Sequence, residues 1–216
     1  HRTAVCQRSS EIMEALSKSY KERLTLFCEK MSETLVDLPV SVSEERILAE
    51  VERQGLSIKY VLNTHAHFDH TDANGAIVQA TGAPLALHPQ DLPLLKASGG
   101  AAMFGMQADT SPLPDLELQD GDELEVGTLR FKVLHTPGHT PGHVCFYEQA
   151  EGVLFDGDVL FFRSIGRTDL PGGKYQQLID SIQGVLLVLP EETVVYSGHG
   201  PATAIGDEKR LNPWLR

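Results

Sequence analysis

The stretch Thr64-His65-Ala66-His67-Phe68-Asp69-His70 decides how the rest of this chain is interpreted. It follows the apolar run Tyr60-Val61-Leu62, which predicts a β-strand that ends where the histidines begin. His65 and His67 are two residues apart, so on extended backbone their side chains point the same way and can share one metal ion. The Asp-His pair that follows, where the chain would turn into a helix, could bind a second ion. The sequence therefore predicts a metal site at the carboxyl end of a strand, where open α/β sheets present their ligand-binding loops.

Length and composition set outer bounds on the class of protein. The 216 residues suffice for one domain with a full core, or for one domain with an added element. With 41% apolar and 22% charged residues, the composition is that of an ordinary globular protein. The formal charge of −12, without a basic run, argues against a nucleic acid or an anionic membrane as partner. A small-molecule substrate is compatible with this charge, because even an anionic one needs only a local basic patch.

The cysteines and the apolar runs indicate the compartment. Cys6, Cys28 and Cys145 are far apart and form no CxxC pair, so we expect no disulfide framework and a reducing compartment. No apolar run reaches the ~18 residues of a membrane span, and no signal peptide opens the sequence. We therefore expect a cytoplasmic protein.

The beginning of the chain has a helical pattern. Apolar residues recur every three or four positions over residues 10–36, which predicts a helix with one apolar face. This face consists of Ile12, Leu16, Tyr20, Leu24, Phe27, Met31 and Leu35. We accordingly interpret residues 1–43 as an N-terminal helical segment and residues 44–216 as the main domain.

Helical and β patterns alternate in the main domain. Helices are predicted at 44–54, 72–81, 89–97 and 174–189, and strands at 58–64, 84–87, 129–134, 144–147, 153–155 and 194–196. The stretch 98–115 is rich in Gly, Ala, Ser and Pro and predicts a long loop of the kind that often borders a site. Its Met103, Phe104 and Met106 could line a pocket, although we expect them to pack the loop onto the core.

A glycine-flanked histidine or aspartate follows three further predicted strands. These residues are His139, Asp158 and His199. Glycine lets the backbone turn sharply and approach an ion closely. Imidazole nitrogens and a carboxylate are ligands that zinc accepts, and iron and manganese accept the same set.

Four motifs resemble, in order and spacing, those of the metallo-β-lactamase superfamily. They are His65-Ala66-His67-Phe68-Asp69-His70, Thr136-Pro137-Gly138-His139-Thr140-Pro141-Gly142, Gly157-Asp158 and Gly198-His199-Gly200. The stretch from Ser164 to Gly173 and the ending from Glu208 to Trp214 are similar to the small bacterial glyoxalase II-like (hydroxyacylglutathione hydrolase-like) branch. The resemblance covers roughly residues 44–216. It implies an α/β fold, a four-layer αββα sandwich with the metal site at one edge of its two sheets.

The resemblance also implies a site for two divalent metal ions. Zinc is the expected metal, and iron and manganese are the alternatives. The implied ligands are His65, His67 and His139 for the first ion and Asp69, His70 and His199 for the second. Asp158 would bridge the two ions because it follows the glycine of its motif, whereas Asp156 would have a turn or supporting role. His135 and His143 match no ligand position, and we expect them to cap the loop or to hydrogen-bond to the ligands.

The N-terminal segment departs from the family pattern. The family's usual first strands, with an Asn-x-Tyr segment and an Asp-Pro-Gly turn, have no counterpart in residues 1–43. A sheet left with an exposed edge would favour pairing with another chain. We therefore hypothesise a homodimer built around the N-terminal helix, which a monomeric mass by light scattering would contradict.

The function implied by the resemblance is hydrolysis of a thioester of the S-2-hydroxyacylglutathione type. Two ions that share Asp158 could lower the pKa of a bridging water towards ~7, and the hydroxide would attack the thioester carbonyl. Asp69 would orient this nucleophile while it binds metal. Candidate anchors for the carboxylates of the substrate are Arg167, Lys174, Lys209 and Arg210.

Two other functions are compatible with these residues. A mononuclear iron persulfide dioxygenase needs two histidines and a carboxylate, which His65, His139 and Asp158 could supply. The additional histidines of the motifs favour the dinuclear site instead. A metal-binding scaffold without turnover is the other alternative, and the irregular N-terminal segment is its motivation.

Overall fold

Two large β-sheets dominate the part of the chain that the computed structural model describes, which is residues 25–29, 33–37, 44–108 and 110–216. The strands of the first sheet are, in spatial order, β1 (Thr25–Glu29), β2 (Glu33–Asp37), β3 (Ser57–Leu62), β4 (Leu85–Leu87) and β5 (Leu116–Glu117). The pair β1 and β2 is antiparallel, and the pairs from β2 to β5 are parallel.

The second sheet is mainly antiparallel. In chain order its strands are β6 (Glu123–Val126), β7 (Leu129–His135), β8 (Val144–Glu148), β9 (Val153–Gly157), β12 (Val194–Ser197) and β13 (Thr203–Ala204). Between β9 and β12 lies a small separate hairpin, which consists of β10 (Leu160–Phe161) and β11 (Ser164–Ile165). The spatial order is β13-β12-β9-β8-β7-β6, and β9 and β12 form its parallel pair.

Short helices connect the strands. They are α1 (Glu44–Gln54), α2 (Phe68–Thr71), α3 (Asn74–Thr81), α4 (Leu92–Lys96), α5 (Tyr175–Ser181) and α6 (Ile205–Leu211). Turns of 3₁₀ helix occur at Pro89–Asp91, Ser98–Phe104 and Pro213–Leu215, and α5 continues as a π-helical turn over Ile182–Leu186. None of the helices within the described residues combines the length and the apolar character that crossing a membrane requires.

Three groups of buried apolar side chains hold four layers together. Leu62 of the first sheet packs between the sheets with Phe131, Phe146 and Phe155 of the second. The outer face of the first sheet packs against α1 and α3 through Ile47, Val51, Ile58 and Ile77. The outer face of the second sheet packs against α5 and α6 through Leu154, Leu178, Ile182 and Ile205. The layers are thus helix, sheet, sheet, helix, as the family resemblance implies.

The β8 strand shows how the sequence specifies these layers. All five of its residues are buried. Val144 and Phe146 belong to the core between the sheets, and the alternate residues Cys145 and Tyr147 belong to the core under the helices. A strand that is covered on both faces needs a continuous apolar run rather than an alternating pattern.

The helix predicted for residues 10–36 is wrong over its second half. Residues Thr25–Glu29 and Glu33–Asp37 form β1 and β2, and β2 pairs in parallel with β3. Strand pairing satisfies the backbone groups of both segments, and this tertiary interaction overrides a weak local preference for helix. Residues 10–24 lie outside the described residues, so the rest of that helix and the division of the chain at residue 43 stay predictions.

The other predicted elements are confirmed with small shifts at their ends. The helix predicted at 44–54 is α1, and the helix predicted at 72–81 is α3. The helix predicted at 174–189 is shorter, because α5 gives way to a π-helical turn at Ile182. The predicted loop at 98–115 begins with the 3₁₀ turns of Ser98–Phe104.

Candidate metal centre

Four strand ends bring the predicted ligands to one edge of the two sheets. Within the second sheet β7, β9 and β12 run in the same direction, because β8 lies antiparallel between β7 and β9, and β12 is parallel to β9. Their carboxyl ends therefore meet at one edge, which carries the loops of His139, Asp158 and His199. The first sheet reaches the same edge after β3, where the carbonyl oxygen of Thr64 accepts a hydrogen bond from the backbone N–H of Val144 at 2.8 Å.

Three of the histidines form a first ligand group. Ring nitrogens of His65, His67 and His139 lie within 4.8 Å of one another, and all three side chains are buried. Nδ1 of His67 and Nε2 of His139 are 2.9 Å apart. Two nitrogen lone pairs that face each other at this distance repel unless a proton or a cation lies between them. The arrangement therefore suits a cation.

Asp69, His70 and His199 form a second ligand group. One ligand atom from each lies within 4.8 Å of the others. Oδ2 of Asp69 is 3.1 Å from Nε2 of His199 and 3.8 Å from Nε2 of His70. His70 is buried, whereas 48% of the His199 side chain is exposed. This group therefore lies on the solvent side of the centre.

Asp158 lies between the two groups. Its Oδ1 is 3.5 Å from Nε2 of His70, and its Oδ2 is 3.7 Å from Nε2 of His139 and 3.5 Å from Nε2 of His199. One carboxylate thus faces histidines of both groups, which is the position that a bridging ligand requires.

A buried ring nitrogen of His65 tests whether the residues fit a metal ion. Nε2 of His65 has no hydrogen-bond partner within the described residues, although it is fully buried. Nδ1 of the same ring lies 3.1 Å from Oγ1 of Thr64, which fixes the ring orientation. A buried polar atom that lacks a partner is destabilising, and a bound ion would supply the missing interaction. The ligand set of imidazoles and carboxylates fits a divalent metal.

Burial keeps the histidines of the first group unprotonated. It lowers the pKa of His65 well below its usual value, and the neighbouring histidines lower it further. Burial and the adjacent His139 lower the pKa of His67 to about 4. Neutral imidazole is the form that binds metal, so near neutral pH an ion does not have to displace protons from these rings.

Two hydrogen bonds orient the ligands from outside the groups. Nδ1–H of His139 donates to the carbonyl oxygen of Arg167 at 2.7 Å, which leaves Nε2 directed at the centre. Nε2 of His143 accepts from the backbone N–H of Asp158 at 3.1 Å, and its Nδ1 is 3.0 Å from Oγ1 of Thr136. Both ring nitrogens of His143 are therefore used, as expected for a residue that supports the ligands. The buried Asp156 accepts from the backbone N–H of Leu160 at 2.9 Å.

Asp91 is a functional residue that the sequence analysis missed. It is fully buried, and its Oδ2 accepts from the backbone N–H of Ala66 at 3.0 Å and from Oγ1–H of Thr140 at 2.7 Å. Its Oδ1 accepts from the backbone N–H of Gly142 at 2.6 Å. One carboxylate thus connects the loop of His65 with the loop of His139. No spacing rule links Asp91 to either motif, because it comes from the turn before α4.

Glycines allow the ligand loops to approach each other closely. A Cβ atom on Gly198 would lie 2.4 Å from Oδ1 of Asp158 and 2.7 Å from Cε1 of His70. A Cβ atom on Gly157 would lie 2.5 Å from Oγ1 of Thr64. Because real Cβ atoms do not approach other atoms this closely, a side chain at either position would displace a ligand or its support.

The four predicted substrate anchors lie at the surface, and three of them have acidic partners. Arg167 forms a bidentate pair with Asp169, with distances of 2.7 and 2.8 Å. Arg210 is 2.7 Å and Lys209 is 3.7 Å from Glu191. Lys174 is exposed directly before α5. Of the four, Arg167 is tied to the centre, since its carbonyl oxygen accepts the hydrogen bond from His139.

The fold and the two ligand groups define a metal-binding α/β protein, and its match to a family model identifies the class. A model of the metallo-β-lactamase superfamily matches residues 27–199, and this match begins within β1. The chain therefore belongs to the metallo-β-lactamase superfamily. The fold of this superfamily binds divalent metal ions, and its members are typically hydrolases or related enzymes.

Similar proteins share the fold but differ in their named activities. The hydroxyacylglutathione hydrolase GloC of Haemophilus influenzae is 41% identical over 174 residues, which cover 79% of this chain and 82% of that protein. The B3 metallo-β-lactamase BLEG-1 superposes with a TM-score of 0.82 at 41% identity, covering 88% of this chain and 92% of that one. TTHA1623 in a di-iron-bound form superposes with a TM-score of 0.80 at 40% identity, covering 91% of this chain and 96% of that one. ETHE1 from Myxococcus xanthus superposes with a TM-score of 0.73 at 32% identity, covering 91% of this chain and 80% of that one.

Proposed function

We propose that this protein is a cytoplasmic metal-dependent hydrolase that cleaves a thioester of the S-2-hydroxyacylglutathione type. The observation that carries the proposal is the presence of two adjoining ligand groups with Asp158 between them. The 41% identity to the Haemophilus hydroxyacylglutathione hydrolase supports the choice of a thioester. The ligands alone do not distinguish a thioester from a lactone, a lactam or a phosphoester. The proposed ions are two zinc ions, with iron or manganese as alternatives.

Each residue of the site has a defined part in this reaction. Two divalent ions, when bound, would lower the pKa of a water molecule towards ~7 and so supply hydroxide. Hydrolysis adds this hydroxide to the thioester carbonyl carbon, breaks the carbon–sulfur bond and releases the thiol. Asp69 faces His199 at the solvent side and would orient this nucleophile. Burial alone would raise the pKa of Asp158, but His70 and His139 hold it well below the usual range, so the carboxylate stays ionised. The partly exposed His199 marks the side from which a substrate reaches the centre.

A persulfide dioxygenase is the second candidate, and the similarity to ETHE1 favours it. The chemistry of a persulfide dioxygenase needs a site in which two histidines and one carboxylate bind one iron ion. In this chain the second group of Asp69, His70 and His199 exceeds that requirement. The number of ions per chain therefore separates the two candidates.

The first experiment measures metal content and thioester hydrolysis on the same sample, purified without chelators. We expect two ions per chain and hydrolysis of S-lactoylglutathione. His199→Ala should reduce hydrolysis on the order of 100-fold or more, since it removes a ligand of the second group. Val188→Ala, which shortens an exposed side chain outside both groups, is the control and should keep two ions and most of the activity.

Three other outcomes would contradict the proposal. One iron per chain with oxygen uptake on a persulfide, and no thioester activity, would support the dioxygenase. Bound ions with neither reaction would support a scaffold without turnover. Equal activity of wild type and His199→Ala would exclude the second group from catalysis.

The oligomeric state is a separate prediction. Strands β1 and β2 replace part of the helix on which the homodimer hypothesis rested. We retain a homodimer as a proposal only because a sheet edge pairs readily with another chain, and light scattering on the purified protein tests it.

A further inference from the structure

Exposed apolar side chains lie beside the metal centre. Met103, Phe104 and Met106 have 60%, 46% and 48% of their surface exposed, so the expectation that they pack the loop onto the core is wrong. Large apolar side chains that are exposed together mark a binding surface more often than scattered ones do. The ring of Phe104 is 5.6 Å from that of Phe68, which lies in sequence between a ligand of the first group and a ligand of the second. We call these four residues the apolar rim.

Close backbone packing fixes the position of the rim. A Cβ atom on Gly99 would lie 2.1 Å from the backbone nitrogen of Phe68, so the turns of Ser98–Phe104 rest directly on the metal-binding stretch. Gly99 has a φ of 60°, which a residue with a side chain rarely adopts. The rim is therefore held against the centre by the backbone.

A second segment of the site meets the rim from the other side. The guanidinium carbon of Arg167 lies 6.0 Å from the centre of the Phe104 ring. The carbonyl oxygen of Arg167 accepts the hydrogen bond from the ligand His139. Phe104 thus lies beside both the stretch that follows His67 and the segment of Arg167, which accepts the hydrogen bond from His139. The ring therefore lies next to two segments that carry or orient candidate ligands.

The charge balance at the rim favours an apolar part of the substrate. Arg167, whose guanidinium lies beside the Phe104 ring, is already paired with Asp169. The glutathione part of a thioester is polar and charged, and burying charge against apolar side chains is unfavourable. The acyl chain has no such charge, and its carbonyl carbon must lie at the ions.

We propose that the apolar rim binds the acyl chain of the substrate and so selects thioesters of 2-hydroxy acids with longer, apolar chains. This inference rests on the proposed hydrolase function and adds the class of acyl group. Phe104 is the specificity-determining residue, because its ring lies next to both the ring of Phe68 and the guanidinium group of Arg167. Each methylene group of the acyl chain that packs on the rim leaves water and tightens binding.

The test measures binding of the hydroxy-acid products by calorimetry, so that it does not depend on turnover. The ligands are 2-hydroxyalkanoates of three to eight carbons, titrated into the zinc-loaded protein. Full burial is worth about fourfold in Kd per methylene, and we expect about two- to fourfold for wild type. Phe104→Ala should remove most of this dependence, whereas Phe104→Leu should keep most of it. Val188→Ala, which shortens an apolar side chain that is 70% exposed, is the control and should match wild type.

The outcomes separate this inference from the proposed function. A wild-type Kd that does not depend on chain length, or a dependence that Phe104→Ala leaves intact, would overturn it. A Phe104→Ala variant that changes the molecular mass by light scattering but keeps the dependence would instead make the rim an interface between copies of this chain. Chain-length dependence in a protein that hydrolyses no thioester would contradict the hydrolase and leave the rim as an acyl-binding surface.

Discussion

At the scale of single residues, Asp91 fixes the relative position of two loops that carry candidate ligands. Its two carboxylate oxygens accept three hydrogen bonds, from Ala66, Thr140 and Gly142. The donors belong to two loops that the chain separates by about 70 residues, and each loop carries histidines of the first group. A substitution of Asp91 should therefore weaken metal binding although it replaces none of the candidate ligands.

Asp91→Asn should weaken both folding and metal binding. The amide nitrogen of asparagine cannot accept a hydrogen bond, so at least one of the three buried donors loses its partner. We expect the free energy of unfolding of the metal-free protein to fall by about 1–3 kcal/mol. The looser loops should weaken metal affinity by about 10- to 100-fold. Urea unfolding and competition with a metal-binding dye measure the two effects.

Asp115→Asn is the matched control for this variant. Asp115 accepts a hydrogen bond from the backbone N–H of Leu85 at 3.0 Å, but it is exposed and distant in sequence from the ligand loops. Water can replace that bond, so we expect little change in metal affinity. Equal metal affinity in Asp91→Asn and wild type would refute the positioning role.

The residues of the two ligand groups could be predicted from the sequence, but Asp91 could not. The seven candidate ligands are close in sequence to a strand end or flanked by glycine, and the structure brings all of them to one edge. Asp91 has neither feature. Its role arises from the packing of the turn before α4 against two loops, and this is a property of the folded chain that local spacing does not encode.

At the scale of the elements, the end of β12 requires a glycine because it passes against the carboxylate of Asp158. Gly198→Ala would place a Cβ atom 2.4 Å from Oδ1 of Asp158. The carboxylate or the strand end must move, and such overpacking costs about 1–3 kcal/mol. We expect the number of bound ions to fall from two towards one, as measured by elemental analysis after dialysis.

Gly184→Ala is the control for the same chemical change. A Cβ atom on Gly184 would have no neighbour within 4 Å, and the residue lies in the π-helical turn after α5. We expect it to retain both ions. If Gly198→Ala also bound two ions with unchanged affinity, the close approach of β12 would not govern the second ligand group.

The first sheet shows why some elements were not predictable. The apolar period over residues 10–36 favoured a helix, but residues 25–29 and 33–37 are strands. Their backbone groups pair with each other and with β3, which follows about 20 residues later. The prediction for α1 succeeded because Ile47 and Val51, four residues apart, form an apolar face that the fold buries. The prediction for β1 and β2 failed because a long-range pairing determines the structure.

At the scale of the whole molecule, most histidines of the candidate metal centre are buried at one edge of the two sheets. Burial lowers the pKa of His65 and of His143 well below its usual value, and it lowers the pKa of His67 and of His88 to about 4. The unfolded chain exposes the same imidazoles, whose pKa is then near 6.5. The hydrogen bond that His199 donates to the carboxylate of Asp69 raises the pKa of His199, so this histidine is shifted in the opposite direction.

This difference makes the metal-free protein sensitive to acid. Above pH 6.5 these histidines are neutral in both the folded and the unfolded state, so they do not affect the free energy of unfolding. As the pH falls from 6.5 towards 4, the unfolded chain binds protons that the folded protein resists, and stability is lost. For a pKa of about 4 the loss is about 2 kcal/mol for each histidine at pH 5. Urea unfolding with chelator at pH 7, 6 and 5 should therefore give steadily lower free energies of unfolding.

His88→Asn isolates one histidine of this set without disturbing the ligands. His88 stacks on His135, and its Nδ1 accepts from the backbone N–H of Gln90 at 3.3 Å, an acceptor role that the oxygen of asparagine retains. Between pH 7 and pH 5, the free energy of unfolding of the variant should fall by about 2 kcal/mol less than that of wild type. Wild-type stability that is equal or greater at pH 5 would mean that the folded protein protonates its histidines freely. In that case burial would not keep the centre ready for metal, because protons would compete with the ions for the same nitrogens.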